Sequence, residues 1–408
     1  MERTVRSIAL GGLTALAAAV AVAQTPAVSP QVARGAALSK LGDCALCHTA
    51  EAGAPFAGGR AIPTPFGKVF ASNITPDAQT GIGRYSEAEF ARAMHKGVRR
   101  DGAELYPAFP YDHFTGASDA DIAALYAFLM GRRPVRQDTP APQLVPPLGF
   151  RPLMGVWKAL YFHPQPFRPT PGKSDEWNRG AYLVETFGHC GACHTPHGAL
   201  GAEQKAKALD GAFVEGWYAP PLNGKTPASM PWTADALYAY LRTGLGPTHA
   251  AAAGPMGEVT RELARAPEGE VRAMAVYLAE RMAAAAPTAT VDRESQAARA
   301  HPQGARLYAG ACADCHEAGS AMMREGRPPL TLGTPLHEAD PRDTLAIVLK
   351  GLEPPTGASG PFMPAFGAAF TDAQLADLAA YLRARFTDQP AWANLPAAAR
   401  TARKETAT

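Results

Sequence analysis

The sequence predicts an all-α protein built from three tandem units, and three observations carry that prediction. All six cysteines fall in one motif used three times: Cys44-Ala-Leu-Cys47-His48, Cys190-Gly-Ala-Cys193-His194 and Cys312-Ala-Asp-Cys315-His316. A short helix-like segment with a Gly-Ala step precedes each motif: VARGAALSKLGDC, WNRGAYLVETFGHC and PQGARLYAGAC. Each unit then closes on an amphipathic helix with an aromatic-leucine pattern: DIAALYAFL at 121–129, VRAMAVYLAERM at 271–282 and QLADLAAYLRARF at 374–386. Repetition of this kind marks a chain of similar units. In the last helix Leu375, Leu378, Leu382 and Phe386 fall at helical spacing, as a core-facing stripe should.

Taken in chain order, residues 1–23 read as a secretory signal peptide. Arg3 and Arg6 precede an apolar run from Ile8 to Ala21, and Ala21-Val22-Ala23 offers a small-residue cleavage site before Gln24. The run is short and alanine-rich for a membrane span, so an uncleaved anchor is the lesser alternative. Periplasmic export follows, with any membrane contact peripheral or through a partner. A formal net charge of +2 leaves no polybasic field and excludes nucleic acid as a partner.

The first unit is expected over 30–135. A proline- and aromatic-rich connector, 136–174, holds Phe150, Trp157, Tyr161, Phe162 and Phe167, too many rings for a free linker, and should pack across the first two units. The second unit covers 175–285, a linker 286–300, and the third 301–390. The tail, 391–408, reads as frayed and solvated, with lipid contact through its tryptophan and basic residues as the alternative.

The repeated motif carries the chemistry. Residues i, i+3 and i+4 of a helical turn share one face, so two thiols can form thioethers to a porphyrin edge while the histidine reaches its iron. CxxCH is the c-type haem attachment pattern. Zinc binding gives no reason for a histidine after each pair. A dithiol redox pair would be expected once, ahead of a helix in a βαβ context. The reading is therefore three haem c groups, attached through Cys44, Cys47, Cys190, Cys193, Cys312 and Cys315, with His48, His194 and His316 as proximal iron ligands. Each unit is small, and a buried haem would supply much of its apolar mass.

A methionine as sixth ligand raises the haem potential. In GPFMPAFG, Met363 occupies a proline-bounded loop before the last helix, and in AAAGPMGEV, Met256 occupies a similar Gly-Pro-Met loop. Met230 is the rival in the second unit; Met274 and Met282 read as core, and His249 as a solvated loop histidine. Met363 lies 18 positions before Tyr381, and Met256 lies 21 before Tyr277. In the first unit, LYPAFPYDHFT puts Phe109 17 positions before Tyr126, and a phenyl ring cannot bind iron. Its two prolines argue against an interior helix turn. His113, four residues on, is the favoured distal ligand of the first haem. His95, Met94 and an open iron beneath Phe109 are the other readings.

With these residues in place, the chain resembles the multihaem cytochrome c subunits of periplasmic, membrane-associated bacterial dehydrogenases acting on alcohols, gluconate, aldehydes and nicotinate-type heteroaromatics. The resemblance covers nearly all of the mature chain. It rests on TPFGKVFASNITPDAQTGIGRYSEAEFARAMHKGVRRDGAELYPAFPY, WNRGAYLVETFGHCGACHTP, GWYAPPL and MPAFGAAFTDAQLADLAAYLR. It implies three tandem cytochrome c domains, each wrapped around a covalently attached haem. It also implies electron transfer from a catalytic dehydrogenase subunit to quinone, a downstream cytochrome or an oxidase. Phe109, where the alcohol and gluconate branches usually carry methionine, is more similar to the branch paired with molybdenum hydroxylases, whose complexes hold molybdopterin and iron-sulfur subunits. An alcohol or gluconate dehydrogenase partner is the alternative. An open first haem with peroxidase-like activity is an alternative of another class, and direct docking to a terminal oxidase a further one.

Overall fold

The computed structural model describes residues 29–246, 248–249, 251–283, 290–324, 326–354 and 362–406. The expected signal peptide, 1–23, lies outside them. No helix among the described residues is long and apolar enough to cross a membrane.

Three times the chain lays an opening helix across a closing one. Pro30–Leu41 crosses Asp119–Met130, Asp175–Glu185 crosses Glu268–Arg281, and Pro302–Ala311 crosses Asp372–Phe386. The Gly-Ala step explains how closely these pairs pack. A Cβ on Gly35 would overlap the Ala124 carbonyl, one on Gly180 the Ala273 carbonyl, and one on Gly304 the Asp377 carbonyl. Only glycine lets two helix backbones meet at that separation.

These contacts also correct the register of the first unit. Gly180 abuts Tyr277 and Gly304 abuts Tyr381, each four residues past the overlapped carbonyl; Gly35 abuts Phe128. Phe128 rather than Tyr126 is therefore the equivalent aromatic. Phe109 then lies 19 residues before it, between the spacings of Met363 and Met256.

A middle helix completes each unit: Glu87–Lys96, Ala234–Thr243 and Arg342–Lys350. The first starts on a capping box, Ser86 with Glu89. All three end at a glycine with positive φ, Gly97 at 59°, Gly244 at 73° and Gly351 at 72°. Met94, Leu241 and Leu349 occupy much the same place on these helices, two or three residues before that glycine, and each is 5% exposed.

The fold is mostly helical, as an all-α protein should be, with two small antiparallel sheets beside the helices among the described residues. Ala61–Thr64 pairs with Gly67–Phe70, which takes Gln143–Leu144 on its other edge, and Ala212–Val214 pairs with Trp217–Ala219. The second hairpin turns on Glu215 and Gly216, at φ 49° and 83°, the double positive φ of a tight two-residue turn.

Buried apolar residues of the first two units form one continuous core, and those of the third form another. Asp121, 1% exposed, knots the first two units together. It pairs with Arg34 of the first opening helix and accepts from the Tyr182 hydroxyl of the second at 2.7 Å. Burial raises its pKa, but Arg34 and Tyr182 outweigh that and hold the carboxyl below its ordinary value.

The connector lies along both units. Trp157 and Phe162 pack edge-on against Tyr111, the Phe167 ring meets Tyr182 at 5.4 Å, and the Phe167 N–H bonds the Gly116 carbonyl.

Part of the expected linker and most of the tail, expected to be frayed, are helical. The helix Glu294–Ala300 buries Ala297 in the third core, so the linker's described end belongs to that unit. The tail forms a helix, Leu395–Thr406, burying Leu395, Ala399 and Ala402 on the third unit. Trp392 anchors its start through an indole N–H to the Glu338 carbonyl at 2.9 Å.

Candidate haem-binding sites

Each CxxCH motif lies on a single helical turn. The histidine N–H bonds the carbonyl of the first cysteine at 3.0 Å for His48, 2.9 Å for His194 and 3.0 Å for His316. Two thiols and one imidazole thus share a face, as thioether attachment with iron ligation requires. All six cysteines are free of disulfides, and burial pushes the pKa of Cys44, Cys190 and Cys193 up to about 12 and that of Cys47 and Cys312 to about 11. Such thiols stay protonated, unlike the thiolate of a reactive redox pair.

Two of the three motif histidines have a ring nitrogen tied to a backbone carbonyl. His48 Nδ1 donates to the Ser72 carbonyl at 2.6 Å and His194 Nδ1 to the Pro220 carbonyl at 2.6 Å. Fixing the proton on Nδ1 leaves Nε2 as the lone-pair nitrogen and orients the ring. Burial lowers the pKa of His48, His194 and His316, favouring the neutral form that a metal needs.

Sequence reasoning missed how those carbonyls are delivered. Gly58 N–H bonds the His48 carbonyl and Gly211 N–H the His194 carbonyl, each at 2.8 Å. Both glycines have positive φ, and a Cβ on Gly58 would lie 2.5 Å from the Asn73 nitrogen, so the chain beyond each motif folds back tightly onto it. In the second unit the hairpin that follows brings Pro220 to the proximal side. It also packs Trp217 against Gly254, whose φ of 52° opens the Gly-Pro-Met segment.

Met256 lies in the first turn of the helix Pro255–Leu263 rather than in a loop, and is half-buried against the core. Met363 is half-buried against the third core, and its carbonyl accepts from Leu352 N–H at 2.9 Å. Met274 and Met282 are core residues. His249, expected to be solvated, is fully buried: it stacks on Trp232 at 3.5 Å and bonds the Met230 carbonyl and Thr248 hydroxyl through its two ring nitrogens.

The first distal loop departs most from expectation. A helical turn, Tyr111–Phe114, starts directly after Pro110, so the prolines bound a turn rather than forbid one. Phe109 rests on Phe114 with ring centroids 5.2 Å apart. His113 faces the second unit instead of the first pocket: Nδ1 lies 2.9 Å from the Glu185 carbonyl and Nε2 2.5 Å from Glu203 Oε1. Both nitrogens are engaged and the pair is nearly buried, so His113 is not placed to ligate the first iron. Met94 belongs to the core position that is leucine in the other units. His95 Nε2 lies 3.3 Å from the Asp119 carboxylate.

The attachment turns of the first two units face each other. A Cβ on Gly42 would come within 3.1 Å of the Phe187 carbonyl.

Paired crossing helices closed over a CxxCH turn whose histidine is backed by a carbonyl define a c-type cytochrome. Residues 178–281 match the family described as Cytochrome c, and residues 299–382 the family described as Cytochrome C oxidase, cbb3-type, subunit III. The chain is 45% identical to a nicotinate dehydrogenase subunit of Pseudomonas putida over 89% of its own length, but spans only 31% of that protein. It is 35% identical to the fructose dehydrogenase cytochrome subunit of Gluconobacter japonicus, covering 89% of this chain and 81% of the relative. With the gluconate 2-dehydrogenase cytochrome c subunit of Pantoea cypripedii it shares 34% identity, over 94% and 91%. The chain belongs to the family of cytochrome c subunits of bacterial dehydrogenases.

Proposed function

We propose that the chain is a triheme electron carrier, taking electrons from a catalytic dehydrogenase subunit and delivering them to quinone or to a downstream cytochrome or oxidase. The observation that carries this reading is the threefold helix crossing with a CxxCH turn in each unit, the first two carrying the same Nδ1-to-carbonyl brace. Haem c supplies reversible one-electron uptake and release without substrate chemistry. The chain's residues do the rest: six thiols tether, His48, His194 and His316 ligate, and Met256 and Met363 complete two sites and raise their potentials. Phe109 covers the first site, leaving it the low-potential member.

A molybdenum-hydroxylase partner is favoured over an alcohol or gluconate dehydrogenase, since the identity to a nicotinate dehydrogenase subunit exceeds that to the other named relatives. A peroxidase role for the first haem has less support, because the relatives matched over most of their length are named as cytochrome subunits. Export to the periplasm and a peripheral position at the inner membrane complete the proposal.

Purification of the native complex tests it. Three haems per chain and molybdenum in the copurifying subunit are expected. A ratio of two haems per chain, or turnover of peroxide by the isolated cytochrome, overturns the triheme carrier, while a molybdenum-free dehydrogenase overturns only the choice of partner.

A further inference from the structure

Seven large apolar side chains stand exposed among the described residues, and six of them gather on one face. They are Val145, Phe150, Val156, Leu160, Tyr161 and Leu200, between 39% and 62% exposed. The face is continuous. Val145 N–H bonds the Phe66 carbonyl at 2.9 Å, the Phe66 ring borders Gly201, and Trp157 Nε1 donates to the Leu200 carbonyl at 2.9 Å.

At its centre is the connector helix Leu153–Tyr161, LMGVWKALY, in which Lys158 is the one charged residue. That lysine turns inward, onto the Lys96 and Gly97 carbonyls and the Glu104 carboxylate. The inner face, Met154 and Trp157, is buried on Tyr111 of the first distal loop. A helix apolar on all sides is normally covered on all sides. Here the outer side is bare.

The surrounding charge indicates what covers it. From 139 to 174 the chain carries neither aspartate nor glutamate; of its four basic residues Lys158 pairs with Glu104 and Lys173 with Glu280, leaving the half-buried Arg151 and the exposed Arg168, and Lys68 stands exposed on the strand beside Gln143. An apolar, aromatic face in an acid-free, basic segment complements a lipid surface with anionic headgroups. The helix spans only about 14 Å at 1.5 Å per residue. A hydrocarbon core is about 30 Å thick, so the helix would lie in the interface rather than cross it.

We propose that this connector face is where the protein rests on an anionic bilayer, which turns the first distal loop toward the lipid. The inference rests on the peripheral membrane position proposed above and specifies the surface responsible.

The test uses the full holo-protein and phosphatidylcholine vesicles with or without phosphatidylglycerol. Wild type should sediment with the phosphatidylglycerol vesicles and be released by salt. The double variant Phe150→Glu, Leu160→Glu should partition about tenfold less or weaker, with its haem absorption unchanged to show that it folds. In Leu160→Trp, the new indole should be quenched by brominated lipid. Equal binding by wild type and the double variant overturns the surface while leaving the peripheral position standing. Failure of wild type to bind either vesicle overturns both. Loss of the copurifying dehydrogenase subunit in the double variant, with vesicle binding intact, makes the face a protein interface and overturns the inference.

Discussion

The loops between middle and closing helix of the first and third units occupy the same place in their units and are held differently. In the third unit most of the bonds described for the loop return to that unit: Leu352 N–H to the Met363 carbonyl, Phe366 N–H to the Val348 carbonyl, and Arg403 of the tail helix to the Gly367 and Phe370 carbonyls; the exception is the exposed Glu353 carboxylate, which pairs with Arg261 of the second unit at 2.8 Å. In the first unit the loop reaches outward. His113 grips Glu185 and Glu203 of the second unit, and Tyr111 is enclosed by Trp157 and Phe162 of the connector. One position in the fold thus carries a methionine in a loop held mainly within its own unit in one case, and a phenylalanine in a loop that joins two units in the other. If Met363 ligates iron as proposed, the loop without a methionine is the one whose bonds go to assembly.

The largest test of the contrast is a paired truncation. Met363→Ala should lower the midpoint potential of one haem by on the order of 100 mV, since the axial ligand is a main control of potential. Phe109→Ala should leave all midpoints nearly unchanged while opening the first site to added imidazole. Spectroelectrochemical titration of both variants decides it; a drop of similar size in Phe109→Ala would mean that the two loops are not different in kind.

The joint itself is tested by His113→Ala. The substitution leaves Glu203 buried without its main partner, which typically costs several kcal/mol. Lys205, 3.0 Å from the other carboxylate oxygen, offsets part of that, so a loss of about 2 to 3 kcal/mol in unfolding free energy is expected. The potential of the first haem should stay put. A shifted potential with unchanged stability would restore His113 as a ligand and remove the contrast.

What could be read from the sequence followed residue identity and spacing. The CxxCH motifs, the Gly-Ala steps and the closing-helix stripe each announce themselves within a few residues, and Leu375, Leu378, Leu382 and Phe386 are indeed buried. What could not be read depends on partners distant in the chain or lacking a side-chain signature. Glu203 stands 90 residues from His113, and proximity in sequence made iron look the nearer partner. Ser72 and Pro220 act through backbone carbonyls; Gly58 and Gly211, trailing each motif, were the available signal. LYAFL carries two aromatic residues two apart, and periodicity alone could not choose Phe128 over Tyr126. The tail was misread because its apolar stripe is mostly alanine set in an otherwise polar stretch, although Ala399 and Ala402 pack as closely as leucines elsewhere.

The smallest expected effect concerns pH and discriminates between the loops through charge. Burial alone would lower the His113 pKa, but Glu203, with Asp112 behind it, outweighs that and raises it above the ordinary 6.5. Its contribution is therefore full below 6.5 and lost as pH rises through the higher folded value. Burial would raise Glu203, yet His113 and then Lys205 bring it down to about 2, so its contribution is full above 4.5 and lost as pH falls toward 2. Lys205 remains charged throughout, its own pKa being raised by Glu203 and Asp112 against burial. The pair should thus stabilise most between about pH 4.5 and 6.5. Melting temperatures of wild type and His113→Gln, followed by Soret circular dichroism, should differ most in that window and converge on either side. The ion pair of the third loop, Glu353 with Arg261, is exposed at the carboxylate and involves no histidine, and such surface pairs contribute little, so Met363→Ala should show a stability deficit that is flat across the same window. A His113→Gln deficit equally flat would mean that the first loop is held by shape and not by charge.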